Sequence, residues 1–467
     1  MMYSNYTIPL MDSDSDSTAI QNAIRLAIET GCGCVLIPPK KTPDGEIIPW
    51  QIDHTILLPS NITIVLDGCH LRLKDNVFEN IFRSENMFHA DRYSLEYEQR
   101  NIQIIGLRNA TLDGGLPNGL TEATSNRDGF PSIRYNCLIL LHNVNGYVIE
   151  GIRLINQRWW AINQIYCRNG RLAHLSFFNG KLQPNQDGIN VRVGCNSILI
   201  EDITGRTGDD TVALSAFPLS SERDYYVNGK DRDIHDIIVR NIRASTRQTI
   251  VALRNTDGAK LYRITIENVF DEPSEYTPWG VVKIGENNYY CKRASILGET
   301  REITVRNVHS QGAGCIFLGG SLQDCHISDV FASGGTMHAV SSFLPEMVFQ
   351  ENNCSIFGGV DMKNVLIENV FYSGTAAYCN DPGDGSYRNR YTYPGLPFAG
   401  CALDFRCMRT SDRFDNVHFR NIIADTSEKK LLTQNPFCYR LSRFRGERSL
   451  ILQGISDTKE GGFGCGR

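Results

Sequence analysis

The chain has no run of consecutive apolar residues approaching the ~20 needed to cross a membrane as a helix, and no excess of positive charge. Its 47 Lys and Arg are outnumbered by 52 Asp and Glu, for a net charge of −5. No global basic field therefore draws it to nucleic acid. The opening Met1-Met2-Tyr3-Ser4-Asn5-Tyr6 has neither the basic segment nor the apolar stretch of a secretory signal, so the expectation is a cytoplasmic protein. The cysteines do not suggest a disulfide framework. The fifteen cysteines are an odd number, and Cys32-Gly33-Cys34 has the wrong spacing for a zinc ribbon or a redox pair. Cys137, Cys195, Cys315 and Cys325 fall among apolar strand positions, where a thiol acts as a small apolar side chain. No metal and no cofactor is expected.

What is present is a repeat. Ile198-Leu199-Ile200-Glu201-Asp202-Ile203, Ile237 to Ile242, Ile264 to Val269, Ile303 to Val308, Val365 to Val370 and Val417 to Ile422 are versions of one unit: alternating apolar residues, then Asn or Asp, then a β-branched residue. Alternation turns the apolar side chains inward and the charged ones outward. The last apolar position steps by 25 residues from Ile152 to Phe177, by 26 to Ile203, and by 22 from Val308 to Val330, the period of a solenoid. Wider steps, 39 from Ile203 to Ile242 and 52 from Val370 to Ile422, are read as loops inserted into a coil, which gather on one face and often build the binding face. The segments lack helical periodicity and leucine at fixed offsets, so a leucine-rich repeat is excluded. The expected fold is all-β, a right-handed single-stranded parallel β-helix. A solenoid grows by adding coils, so residues 1–467 are expected to form one domain.

Asp16-Ser17-Thr18 opens an amphipathic segment with Ile20, Ile24 and Ala27 on one face, a helix capped by Asp16 or Ser17 that plugs the N-terminal end over about residues 1–30. Gly31 to Pro39, Ile62 to Gly68, and Ile102 to Ile105 leading into Thr111 to Gly114 read as early strands closed by Gly and Asp turns. Coils are expected over about 31–425. After Ser427 the repeat is lost, and Arg440, Arg443, Arg445 and Arg448 lie among aromatic residues, a C-terminal cap or a tail that packs on a neighbouring subunit.

Three carboxylates stand out. Asp187 lies in Asn185-Gln186-Asp187-Gly188, and Asp209-Asp210 follow Gly208. The 22 residues from Asp187 to Asp209 are about one coil, so the three are expected on neighbouring coils of one groove, the equipment of glycosidic-bond hydrolysis. Crowded carboxylates cannot all ionise freely, which favours a protonated member near neutral pH.

Asn156-Gln157-Arg158-Trp159-Trp160, Asn185-Gln186-Asp187-Gly188 and Thr207-Gly208-Asp209-Asp210 together resemble the Asn-Ser-Pro-x-Trp, Asn-Thr-Asp-Gly and Gly-Asp-Asp series of the polygalacturonases, glycoside hydrolase family 28. The resemblance covers residues 15–425 as a pectin-lyase-like fold and residues 150–290 as chemistry. It implies an inverting hydrolase in which Asp209 is the general acid and Asp187 and Asp210 position and deprotonate the attacking water. Inversion needs a gap of about 6.5–9.5 Å between acid and base, more than the ~4.8 Å between coils, so an offset along the strand is required.

The departures concern the substrate clamp. Where the family has Gly-His-Gly this chain has Arg247-Gln248-Thr249-Ile250, with Gln248 a candidate contact. Where the family has Arg-Ile-Lys, only Lys283 stands in Gly280 to Gly285, with Arg254 a cation from a neighbouring coil. Asn185, Arg192, His235, Trp159 and Trp160 complete the candidate binding residues. Of the two tryptophans, read as adjacent strand residues, one must point inward. His235 is read as a strand-edge polar residue rather than an acid, and Arg192 as a second cation for a substrate carboxylate or a solvated strand residue. The literal Asn255-Thr256-Asp257-Gly258 is read as a turn. The inserted loops 217–232, 271–300 and 376–398 are expected to close one end of the groove into an exo-acting pocket, with Tyr225, Tyr226, Tyr289 and Tyr290 as wall residues, or to form a homo-oligomer interface. An oligosaccharide is the expected partner. Two rival classes remain: a lyase or epimerase with Ca²⁺ on the three Asp and Lys283 or Arg254 as base, and a carbohydrate-binding β-helix without turnover.

Overall fold

The computed structural model describes residues 13–89, 94–116, 137–179, 185–218, 225–272, 274, 280–285, 293, 295–312, 314–336, 338–342, 361–374, 401–404, 413–424, 438–439 and 450–457. The fold is a right-handed parallel β-helix. The chain divides into two compact units, Met1–Ala213 with Leu219–Ile237, and Leu214–Pro218 with Ile238–Arg467, and each is taken in turn.

In the second unit the repeat becomes five long parallel strands in successive coils: Leu261–Asp271, Thr300–Ser310, Leu322–Ala332, Met362–Tyr372 and Phe414–Ala424. Each bends twice through a left-handed residue, Arg263 and Asn268 in the first, Glu302 and Asn307 in the second, Asn364 and Asn369 in the fourth. The Asn of the repeat is thus a corner residue, since Asn tolerates φ near +55° better than branched side chains. The corner amides bond from coil to coil: Asn268 donates to Asn241 (2.9 Å), Asn307 to Asn268 (2.7 Å), Asn369 to Asp329 (3.0 Å) and Asn421 to Asn369 (2.9 Å). Inside, Ile266, Val305, Ile327, Ile367 and Phe419 stack in register, all fully buried, each side chain worth about 1.5–3 kcal/mol of transfer. Cys325 takes the place of Ile303 and Val365 in the parallel stack. Val370 and Ile422 are direct neighbours, so the 52-residue step is an insertion.

The ladder does not stop at 425. Leu450–Asp457 pairs with Phe414–Ala424, Leu450, Leu452 and Ile455 standing on Val417, Phe419 and Ile422. Gly454 occupies the register of Asn421, and that substitution of one corner-tolerant residue for another hid the coil from the sequence pattern. Arg440, Arg443, Arg445 and Arg448 lie outside the described residues.

In the first unit Ile64, Ile104, Ile149, Leu172 and Ile200 form the equivalent stack. A second sheet of shorter strands includes Ile139–His142, Ile162–Ile165 and Ile189–Arg192. The helix Asp16–Glu29 buries Ile20, Ile24 and Ala27 against the first strands. Its cap is Ser15, which accepts the N–H of Thr18 (3.2 Å), and neither Asp16 nor Ser17. Both are otherwise engaged: Asp16 holds Lys40 Nζ and the Gln51 N–H at 2.7 Å, and Ser17 Oγ accepts the Asp53 N–H at 3.0 Å.

Candidate active site

The three acidic residues sit in turns that feed the short sheet of the first unit. The N–H of Gly188 bonds to the carbonyl of Asp210 and that of Ile189 to Thr211, both near 3 Å. This is the same offset by which Ala161 and Ile162 bond to Asp187 and Gly188, across a ladder that pairs Ile162 with Ile189. Trp160, Asp187 and Asp210 therefore share one register position on three successive coils. The sequence expectation matched Asp187 with Asp209; the ladder matches it with Asp210 and leaves Asp209 one residue out of line. Gly188 is required here, because a Cβ on it would lie 2.5 Å from the Thr211 carbonyl.

Asp187 and Asp210 are nearly buried, 5% and 6% exposed, while Asp209 is half-buried, so the expected solvent-open groove is closed over two of the three. Asn190 Nδ2 donates to Asp187 Oδ2 at 3.0 Å. Asp209 accepts the Asn185 N–H on Oδ2 and the Asp210 N–H on Oδ1, each at 2.9 Å. Asn185, at φ 63°, thus serves through its backbone. Gln157 and Gln186, singled out by no sequence argument, lace the two turns together: Gln186 Nε2 donates to the Gln157 carbonyl at 2.7 Å and Gln157 Nε2 to the Gln186 and Asp187 carbonyls at 3.3 Å.

Neither tryptophan is a sugar platform in this conformation. Trp159 and Trp160 lie in a turn between strands, where alternation does not apply, and both are buried. The Arg192 guanidinium covers the Trp160 ring, 4.7 Å from its centroid, so Arg192 is not a solvated strand residue. Burial pushes the Cys137 thiol up, with the charge of Asp187 adding to the effect and that of Arg192 opposing it, which puts both charges within reach of one point. His235 belongs to the other sheet, at the start of the strand Ile234–Ser245, and pairs with Asp236 at 2.6 Å.

Tyr225 is a further correction. It is buried in the apolar cluster that includes Leu140, Trp160, Ile165 and Tyr166, and its carbonyl lies 2.7 Å from His142 Nε2. The Tyr226 ring is covered by Arg232 at 4.0 Å. Tyr289, Tyr290 and the loop 376–398 fall outside the described residues.

Gln248, Arg254 and Lys283 belong to the second unit. Lys283 pairs in register with Ala252, two residues before Arg254, so the two cations share a face of adjacent strands. Lys283 is 9% exposed and Arg254 lies 4.9 Å from the Phe217 ring. Gln248 sits in the turn before that strand, its N–H on Thr246 Oγ1. Asn255 to Gly258 is a turn, with Asn255 Nδ2 on the Ala259 carbonyl at 2.9 Å and Asp257 at φ 54°. Among the described residues no three His, Cys, Asp or Glu are grouped to hold a metal ion.

No family model matches the chain. An exopolygalacturonase of Zea mays is 22% identical over 207 residues, 43% of this chain and 46% of that protein, so the match spans about half of the curated relative. Among solved structures, a hyperthermoactive exopolygalacturonase from Thermotoga maritima superposes with a TM-score of 0.52 at 13% identity, covering 97% of this chain and 93% of the other. PfbA, a surface adhesin of Streptococcus pneumoniae, gives 0.50 at 10% identity over 97% and 92%. Enzyme and adhesin match equally well, so the likeness speaks for the fold alone.

Proposed function

We propose that the chain is a glycoside hydrolase of the polygalacturonase-like kind, inverting and exo-acting on an oligosaccharide that carries a uronate. The observation that supports it is the register of the acidic turns. Asp187 and Asp210 stand directly above one another on coils about 4.8 Å apart, too close for an inverting acid and base that must admit a water between them. They suit a shared task, holding and deprotonating that water. Asp209, one residue out of line and more exposed, is assigned in this reading as the acid that protonates the leaving oxygen. Asn190 holds Asp187, and the backbone N–H groups of Asn185 and Asp210 orient Asp209, the fixed positioning that general acid–base chemistry needs. Arg192 supplies a cation to the same turn region, which favours an acidic sugar over a neutral one. Exo action is the part that draws on the inserted loops.

The test is incubation with defined oligosaccharides, neutral and uronate-containing, with products read by mass. Addition of water, with one residue released at a time from one end, is expected. An unsaturated product, or activity lost to a chelator, replaces the hydrolase with a lyase. Binding without any product leaves a carbohydrate-binding β-helix.

A further inference from the structure

The outward face of the short sheet in the first unit carries two buried amides, one with its hydrogen-bonding capacity unspent and one with its oxygen unspent. Gln164 is turned into the coil, where it meets the hydroxyl of Tyr147, a member of the interior stack beside Gly170. Alternation then turns Asn163 outward, in register with Leu140 on one side and Asn190 on the other. Asn163 and Asn190 are 0% and 1% exposed. Among the described residues, Asn163 Oδ1 and Nδ2 and Asn190 Oδ1 have no hydrogen-bond partner. Desolvating an amide without replacing its water is a loss the fold does not recover internally, and such groups call for an explanation.

The cover over them is identifiable. Leu140 and Ile165, which flank Asn163 across and along the strand, pack in one cluster with Tyr225 and Val227. The His142 ring holds the Tyr225 carbonyl, and Lys230 ties the far end of this strap to Glu98 Oε2 (2.8 Å) and Asn143 Oδ1 (2.6 Å). The strap joins the apolar cluster that flanks Asn163, and it makes no hydrogen bond to these amide atoms.

We propose that Asn163 and Asn190 form the hydroxyl-binding floor of the candidate site, and that the strap from Tyr225 to Lys230 rests on that floor until a sugar displaces it. The inference builds on the reading of the acidic turns as a sugar-processing site. The ligand class follows from the groups on the face. Asn163 offers a donor and an acceptor, Asn190 an acceptor on the next strand about 4.8 Å away, and Arg192, two residues beyond Asn190 on the same face, a cation. That set matches the vicinal hydroxyls and the carboxylate of one hexuronate ring. Because Asn190 Nδ2 already holds Asp187, a hydroxyl taken by its Oδ1 lies beside the acidic turn.

The experiment is calorimetric titration of the full chain with galacturonate and with galactose, on the wild type, Asn163→Leu and Lys230→Ala. Asn163→Leu removes the unpaired amide without emptying the space, so an unchanged or raised Tm together with at least tenfold weaker galacturonate binding is expected. Lys230→Ala frees the strap and should tighten binding several-fold; Glu98→Gln loosens the same anchor should that variant fail to fold. No wild-type binding of galacturonate, equal affinity of Asn163→Leu and wild type, or no gain on freeing the strap overturns the proposal. The two readings separate cleanly. Amide-dependent binding without any product from trigalacturonate ends the hydrolase reading and keeps the floor. Product formation that Asp209→Asn abolishes and Asn163→Leu leaves untouched in KM does the reverse.

Discussion

Asn268, Asn307, Asn369 and Asn421 in the second unit each donate to an amide or carboxylate one coil away, whereas Asn163 in the first unit keeps both amide atoms unpartnered on a buried outward face. The same residue type in the same solenoid is used in two ways. At the corners it is structural, holding a left-handed bend and spending its polar atoms on its neighbours. On the face beside the acidic turns it is buried at a cost. Two acidic residues divide the other way. Glu98 in the first unit is held down to about 2, with burial working against ionisation and Arg168 and Lys230 outweighing it. Asp271 in the second is pushed up to about 6, because burial outweighs the N–H groups of Gln311 and Gly312 that it accepts. At the corners the amides pair along the coils; on the proposed sugar-binding face they are left open.

The sharpest break of that comparison is Asp209→Asn. As the proposed acid it should cost about 10²–10⁴ in kcat while the Tm moves by no more than a few degrees. A variant that loses stability and keeps its rate would assign Asp209 to the structural class instead. The opposite profile is expected of Phe419→Ala in the second unit. Phe419 stands in the apolar stack on Ile367, so the truncation should cost about 3–5 kcal/mol, read by denaturant unfolding.

Much of this division was legible beforehand, and the failures have physical causes. The repeat, its parallel stacking and the buried thiols followed from alternation and period, since each coil repeats the same inward positions. Asp187 and Asp209-Asp210 were found by their spacing, but which of the pair aligns with Asp187 depends on how the turn 207–210 is threaded, and spacing alone is blind to a one-residue shift. Trp159 and Trp160 were misplaced because a strand rule was applied to a turn. The burial of Tyr225, and with it the orphaned amide of Asn163, comes from a segment some sixty residues further along the chain. No local pattern carries that. Asn163 did leave one trace, a lone amide at an outward position of Ile162-Asn163-Gln164-Ile165, repeated at Asn190 one coil later.

A subtler separation uses pH. The folded pKa of Asp271 lies above its unfolded value near 3.9, so the fold favours the protonated carboxyl. Its contribution to stability is complete below about pH 4 and is lost as pH rises through about 6, a change of about 3 kcal/mol at 1.36 kcal/mol per unit. Glu98 acts with the opposite sign: its stabilisation is present above the ordinary glutamate range and is lost as pH falls toward 2. Unfolding free energies measured from pH 4 to 7 should therefore decline in a wild-type titration, and Asp271→Asn should flatten the decline. An unchanged slope in that variant would assign it to other groups.

The smallest expected effect asks whether the corner asparagines act through their backbone or their side chain. Asn307 combines a φ of 55° with a donated bond to Asn268 and an Oδ1 facing His309 Nε2 at 2.9 Å. Asn307→Ala loses both features, and should cost about 1–3 kcal/mol from the left-handed penalty plus the lost side-chain bonds. Asn307→Gly keeps the conformational tolerance and loses only the bonds, so it should recover about 1 kcal/mol of that difference. Equal losses in the two variants would mean that the ladder of amides, rather than the bend, is what the residue contributes. Recovery in glycine would instead mean that the bend is what the residue contributes, in keeping with a Gly454 that continues the same ladder at the register of Asn421.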